Sequence, residues 1–317
     1  MANIRLYYHS ETLKMQVGVN VILPENTWGH SFANRPENYR YPVLWLQTGG
    51  GFDYTDWARY TAIELYAAEA GIAVVCSGTF CSAYMDTVHG DFKYFSTLSI
   101  ETPRVVRHLF PLSEDPRDNF LAGFSMGGFG SLKWWVRDPE KFASIGLFSG
   151  VKNICEMGPS LGNAPNNAAI TDTEVKRVAE DDYMFSSAVG DPSLLIGTEN
   201  DISGMIVKQM AAGKKFPKAY MATGVEDTHY LDNKYFIEKY QSLGIEVYKT
   251  IDHGAHNWEY CDKHVKKYLD WLVAEVLPRL ISRIDCEITA HYAAKIAKRR
   301  VRELWARRRQ DARRNRL

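Results

Sequence analysis

The chain is poor in cysteine, with only Cys76, Cys81, Cys155, Cys261 and Cys286 in 317 residues. Their number is odd, their spacing is scattered and no Cys-x-x-Cys occurs. This argues against a disulfide framework and for free thiols in a reducing compartment. Long apolar runs are absent too, so no transmembrane segment is expected. Residues Met1 to Ser10 show no charged stretch leading into an apolar one. No export leader is therefore expected, and the expected location is cytoplasmic. Ligand spacing for a metal is also missing: His253 and His256 lie three residues apart, but no third ligand falls at a recognisable interval. Finally, there is no net charge, with 38 basic and 38 acidic residues. That balance hides an asymmetry. Residues 295–317 carry eleven Lys and Arg against two acids, which leaves an acidic body with 27 basic and 36 acidic residues.

Hydrophobic residues make up 45% of the chain, which suits one large α/β domain. Ile4 to Tyr8 and Met15 to Leu23 read as an edge hairpin. In the second strand Met15, Val17, Val19, Val21 and Leu23 fall on one face. Pro24 to Tyr41 is a polar loop. Pro42 to Gln47 and Ile72 to Cys76 are continuous apolar runs, as expected of strands buried on both faces. Helical patterns cover Asp56 to Ala70 and Leu98 to Leu109. Strands are expected at Asn119 to Ala122, Ala143 to Phe148, Lys218 to Thr223 and Ile245 to Ile251. Helices are expected at Phe129 to Val136, Asp201 to Ala212, Tyr230 to Leu243 and Trp258 to about Val276. Residues 151–191 break this alternation with Gly, Pro and Asn clusters and are the natural place for a lid.

The chemistry centres on Gly123-Phe124-Ser125-Met126-Gly127-Gly128. A strand precedes it and a helix follows, the context in which Gly-x-Ser-x-Gly forms a sharp elbow with the serine at its apex. The glycines are needed because a Cβ at 123 or 127 would crowd the adjoining strand and helix. A serine hydroxyl is a weak nucleophile until a base takes its proton, and the base needs a carboxylate to fix its tautomer. The order Ser, acid, His, with acid and base after late strands, selects Ser125, Asp227 and His256. Glu226 is the adjacent competitor, but neighbouring residues at a strand end point apart, so only one can face the histidine. Asp191 is the fallback acid. His89 and His229 read as loop residues. Thr48-Gly49-Gly50-Gly51-Phe52 follows a central strand. It can bring backbone N–H groups close to a ligand, so Gly50 and Met126 are the expected oxyanion donors. Gly49, Gly51, Tyr84 and Trp258 are the expected substrate-lining residues.

These motifs resemble the putative-esterase branch of the α/β-hydrolases, which includes tributyrin esterase, esterase D-like enzymes and feruloyl and acetyl esterases. The matching stretches are residues 123–133, Asp138 to Phe142, Phe148-Ser149-Gly150, Ser82 to Asp86, Gly224 to Asp227 with Tyr230, and Gly254 to Trp258. They lie within residues 10–275. The resemblance implies an α/β-hydrolase fold with a mostly parallel central sheet and helices on both faces. It also implies a serine carboxylesterase for short-chain acyl esters, acetyl, butyryl or cinnamoyl, including those on oligosaccharides, with no cofactor. Its triad, carried over one residue at a time, is again Ser125, Asp227 and His256. Thr48-Gly49 departs from the family's usual His-Gly. Acyl transfer to an alcohol is the alternative within enzymes, and a silent binding module the alternative outside them. The hydrolase domain is expected over residues 1–280. A basic amphipathic helix follows at 281–317, with Ile284, Ile288, Tyr292 and Ile296 along one stripe. Packing on the body or on a second subunit is its expected role, rather than specific nucleic-acid binding.

Overall fold

A computed structural model describes residues 1–25, 38–80, 82–151, 153–156, 188 and 190–276. Eight strands form one sheet: β1 (Ala2–His9), β2 (Gln16–Leu23), β3 (Val43–Gln47), β4 (Ala73–Ser77), β5 (Asn119–Phe124), β6 (Ser144–Phe148), β7 (Lys218–Gly224) and β8 (Val247–Asp252). Their order is β1-β2-β4-β3-β5-β6-β7-β8. β1 and β2 pair antiparallel, β2 meets β4 antiparallel, and every other pairing is parallel.

The central strands feed two cores by simple alternation. Val43, Trp45, Val75, Leu121, Ile145 and Leu147 enter one core. Leu44, Leu46, Val74, Cys76, Phe120, Ala122 and Phe148 enter the other. Successive strand side chains point to opposite faces, so a continuous apolar run serves a sheet covered on both sides. Each fully buried Val, Leu, Ile or Phe is worth about 1.5–3 kcal/mol relative to exposure. The first core holds side chains of α3 (Tyr94–Ser96), α4 (Thr102–Leu109), α5 (Met126–Arg137), α6 (Ile202–Ala211) and α7 (Tyr230–Ser242). The second holds those of α1 (Asp56–Tyr60), α2 (Ile63–Ala70) and α8 (Trp258–Trp271).

Three elements differ from their sequence pattern. β2 is buried on both faces from Val17 to Ile22, although its pattern alternates. β1 lies outside it and takes the half-exposed role. The helix over Asp56 to Ala70 is two helices. Thr61 leaves the helical region (φ −137°, ψ 167°), and its hydroxyl donates to the Trp57 carbonyl at 2.5 Å. The helix expected from Leu98 begins at Tyr94 and widens into a π turn over Thr97–Glu101. Pro103 lacks the N–H that would otherwise bond back to Ser99, which favours such a widened turn. Most of the expected lid, and the whole C-terminal basic segment from residue 281, lie outside the described residues.

A buried polar bridge joins α8 to β7 and β8. His264 Nδ1 pairs with Tyr220 Oη at 3.0 Å and Nε2 with Asp252 Oδ1 at 3.1 Å. Asp252 also accepts from Lys263 and Lys267, at 2.8 and 3.0 Å. Burial pushes the His264 imidazole down to about 4; the Asp252 charge opposes this, while the two lysines add to it. The unfolded imidazole takes up a proton near pH 6.5, well before the folded one does, so stability is lost as pH falls from about 6.5 to 4, by roughly 3 kcal/mol at the end of that window. The urea midpoint of the wild type should therefore drop between pH 7 and pH 4.5 by more than that of His264→Gln. Equal drops in the two proteins would contradict this.

Candidate active site

Ser125 sits between β5 and α5 with φ 54° and ψ −122°. A residue with a Cβ rarely occupies that region, and it persists only where the surroundings enforce it. The enforcement is visible in the glycines. A Cβ at Gly123 would lie 2.2 Å from the Gly127 carbonyl oxygen, and one at Gly127 would lie 2.3 Å from the Thr48 carbonyl oxygen. Ser125 N donates to the Phe148 carbonyl at 3.0 Å, and the N–H groups of Gly128 and Phe129 return to the Ser125 carbonyl. Strand, elbow and helix therefore interlock through backbone, and the Ser125 side chain is left half-buried at the helix N-terminus.

The other two selected residues converge on it. His256 Nε2 lies 2.9 Å from Ser125 Oγ. His256 Nδ1 lies 3.1 and 3.0 Å from the two carboxylate oxygens of Asp227. Asp227 lies in the turn after β7, its side chain fully buried, and His256 follows β8 with 22% of its side chain exposed. Burial opposes ionisation of Asp227. The hydrogen bond and charge of His256, together with the His229 N–H at 2.7 Å, outweigh it and hold the carboxyl below the usual range.

Glu226 faces the other way, as adjacent residues at a strand end should. Its carboxylate accepts from His253 Nδ1 at 2.8 Å and from the Gly254 N–H at 2.7 Å. Glu226 N also donates to the Gly254 carbonyl at 3.2 Å. It thus joins the loop that carries Asp227 to the loop that carries His256. Asp191 caps a short 3-10 turn through the Ser193 N–H and takes no part in the cluster. His89 is exposed on its loop.

The glycine loop runs alongside the elbow. A Cβ at Gly49 would lie 3.6 Å from Ser125 Cβ. Gly50 is half-buried, and Gly51 is exposed with φ 78°. Met126 is the first residue of α5, so no helical carbonyl can reach its N–H. Trp258 opens α8 within an aromatic cluster. Its ring centroid is 5.2–5.4 Å from those of Trp57, Phe52, Tyr60 and Phe124.

Tyr84 departs from its expected place in the substrate pocket. It is 1% exposed, and its hydroxyl donates to the Thr48 carbonyl at 2.6 Å. The ring fills the space a Cβ at Gly130 would need. With its hydroxyl committed and its ring enclosed, Tyr84 supports the glycine loop from beneath.

Sequence reasoning missed two neighbours of His256. The ring of Phe124, the variable residue of the elbow motif, lies 4.7 Å from the His256 ring. His229 packs edge-on to it at 5.0 Å. Phe124 was detectable, since it must stand beside the serine. His229 reads as an ordinary loop residue until the fold brings two loops together. Among the described residues, no group of three or more His, Cys, Asp or Glu is arranged to hold a metal ion. No described helix is long and apolar enough to cross a membrane.

This strand order, with a serine held at a strand–turn–helix elbow, defines an α/β-hydrolase. The profile of the Putative esterase family matches residues 10–271. The acetyl esterase of Caldicellulosiruptor saccharolyticus is 24% identical over 272 residues, covering 86% of this chain and 98% of its own. Among solved structures, the fluorophosphonate-binding serine hydrolase FphF of Staphylococcus aureus, with substrate bound, is 30% identical. It gives a TM-score of 0.69 over 86% of this chain and 98% of its own. The S-formylglutathione hydrolase FrmB of Staphylococcus aureus, as apoenzyme, gives the same values. A ferulic acid esterase shares the fold at 19% identity, with a TM-score of 0.64 over 84% of this chain and 96% of its own. The chain belongs to the Putative esterase family and is a carboxylic ester hydrolase.

Proposed function

We propose that the protein hydrolyses short-chain acyl esters through an acyl-enzyme on Ser125, with Asp227 and His256 completing the triad. The observation that carries this reading is the continuous line Ser125 Oγ, His256 Nε2, His256 Nδ1, Asp227 carboxylate, all within 3.1 Å steps. Ser125 Oγ attacks the ester carbonyl while its proton passes to His256 Nε2. The tetrahedral oxyanion accepts hydrogen bonds from the N–H groups of Met126 and Gly50, each worth about 3 kcal/mol in the transition state. His256 then gives its proton to the departing alkoxide. Water repeats the sequence on the acyl-enzyme and frees the acid. Asp227 holds Nδ1–H and stabilises the imidazolium, and the steps need no cofactor.

Gly49, Gly51 and Trp258 flank the acyl and alcohol groups in this reading. Acetyl, butyryl and cinnamoyl esters are the proposed range, on small molecules or on oligosaccharides. The test is a chain-length series. Turnover of p-nitrophenyl acetate and butyrate should exceed that of the octanoate by about tenfold or more in kcat/KM, the discrimination a closed apolar pocket can supply. A flat profile, or a preference for octanoate, would sink the short-chain assignment.

A further inference from the structure

We propose that Lys133 is a positioning residue for the Gly49–Gly51 loop, acting through Tyr84, so that one helix sets both the nucleophile and the oxyanion donor. This rests on the assignment of Gly50 as a donor.

Lys133 lies on α5, eight residues after Ser125, and its side chain is 1% exposed. A buried ammonium is costly unless its surroundings use it. Among the described residues its one ion-pair partner is Glu199, whose Oε1 lies 3.6 Å from Nζ and whose side chain is itself 44% exposed. Its closer contacts are with the segment before α3 and with Phe95 of α3 itself. Nζ donates to the Tyr84 carbonyl at 3.3 Å, lies 3.7 Å from Met85 Sδ, and stands 3.8 Å from the centre of the Phe95 ring.

That segment is strained. Phe80, Ala83 and Tyr84 have φ of 50°, 49° and 55°, which non-glycine residues hold only when several contacts demand it. Tyr84 is held at three points: its carbonyl by Lys133, its ring against Gly130 of α5, and its hydroxyl on the Thr48 carbonyl. The Thr48 carbonyl and the Gly49 N–H share one rigid peptide plane. Fixing that oxygen fixes the start of the loop that carries Gly50. The same oxygen already lies against Gly127, so the loop is tied to α5 both directly and through Tyr84. Ser125 begins that helix, and Lys133 lets the helix hold the loop as well.

The charged groups facing Lys133 are Glu199, Asp86 and, one turn further along α5, Arg137. Burial pulls the ammonium down to about 8, with the two carboxylates opposing and Arg137 assisting. Above that pH the donor loses its charge and its hydrogen bond to the Tyr84 carbonyl weakens, so an alkaline fall in kcat is expected.

The experiment compares kcat and KM on p-nitrophenyl acetate for the wild type, Lys133→Met, Tyr84→Phe and the double variant. Both substitutions keep the buried volume. Each single change should lower kcat about tenfold with KM within about twofold, because the loop acts on the transition state. The double variant should be no worse than the poorer single by more than about twofold, as for residues in one relay. The alkaline fall near pH 8 should vanish in Lys133→Met. Multiplying effects, or a single variant with kcat within twofold of wild type, would overturn the proposal. If Lys133→Met does not fold, Tyr84→Phe decides alone, and an unchanged kcat there rejects it. Activity that survives in Ser125→Ala would instead reject the triad assignment.

Discussion

Ser125→Ala should lower kcat on p-nitrophenyl acetate by on the order of 10⁵- to 10⁶-fold, the loss seen when a triad serine is removed. Labelling by a fluorophosphonate should disappear with it. The fold should be untouched. The elbow conformation is held by backbone contacts of Gly123 and Gly127, and alanine keeps the Cβ that serine places there. A melting temperature within about 2 °C of wild type is therefore expected, since no buried group is lost. Equal turnover by the two proteins would remove Ser125 from the mechanism. Loss of activity with a large fall in melting temperature would leave the chemical role unproven.

Asp227→Asn should cost about 10⁴-fold in kcat with the geometry intact. The buried carboxylate receives His256 Nδ1 on both oxygens. That directs the imidazole proton to Nδ1 and leaves Nε2 free to accept from Ser125 Oγ. An amide presents an N–H to Nδ1 and favours the opposite tautomer, whose Nε2–H cannot take the serine proton. Glu226 cannot substitute, because its carboxylate is bound to His253 and Gly254 across the neighbouring loop. A variant retaining more than a tenth of wild-type kcat would contradict the assigned role. The acid side of the stability profile gives a second reading. The Asp227 carboxyl is held below its usual range, so its contribution to stability is present above about pH 4 and is lost as pH falls through the lowered value. In Asp227→Asn that part of the acid slope should be missing.

Much of this was legible in the chain because the relevant physics is local. Continuous apolar runs at Pro42 to Gln47 and Ile72 to Cys76 announced strands covered on both sides, and the strands that form there, Val43–Gln47 and Ala73–Ser77, are buried throughout. The elbow glycines announced a close approach, and the distances to Gly127 and Thr48 are that approach. The split at Thr61 and the π turn ahead of Pro103 were less legible. At Thr61 the hydroxyl bonds the Trp57 carbonyl and the Ile63 N–H while distant Asp262 takes the Ala62 N–H; ahead of Pro103 a single N–H is missing.

By itself the sequence determined the order of strands and helices, the serine elbow, and the candidates for acid and base, since these follow from side-chain periodicity and from glycine placement. The sequence selected Asp227 over Glu226 by order and placement; which way each side chain leaves the end of β7, Asp227 toward His256 and Glu226 toward His253, is visible only in the tertiary structure. Only it moved Tyr84 from the pocket to a buried support under Thr48. Only it set His229 and Phe124 beside His256. These are contacts between segments far apart in the chain, and no local pattern encodes the direction in which two distant loops meet.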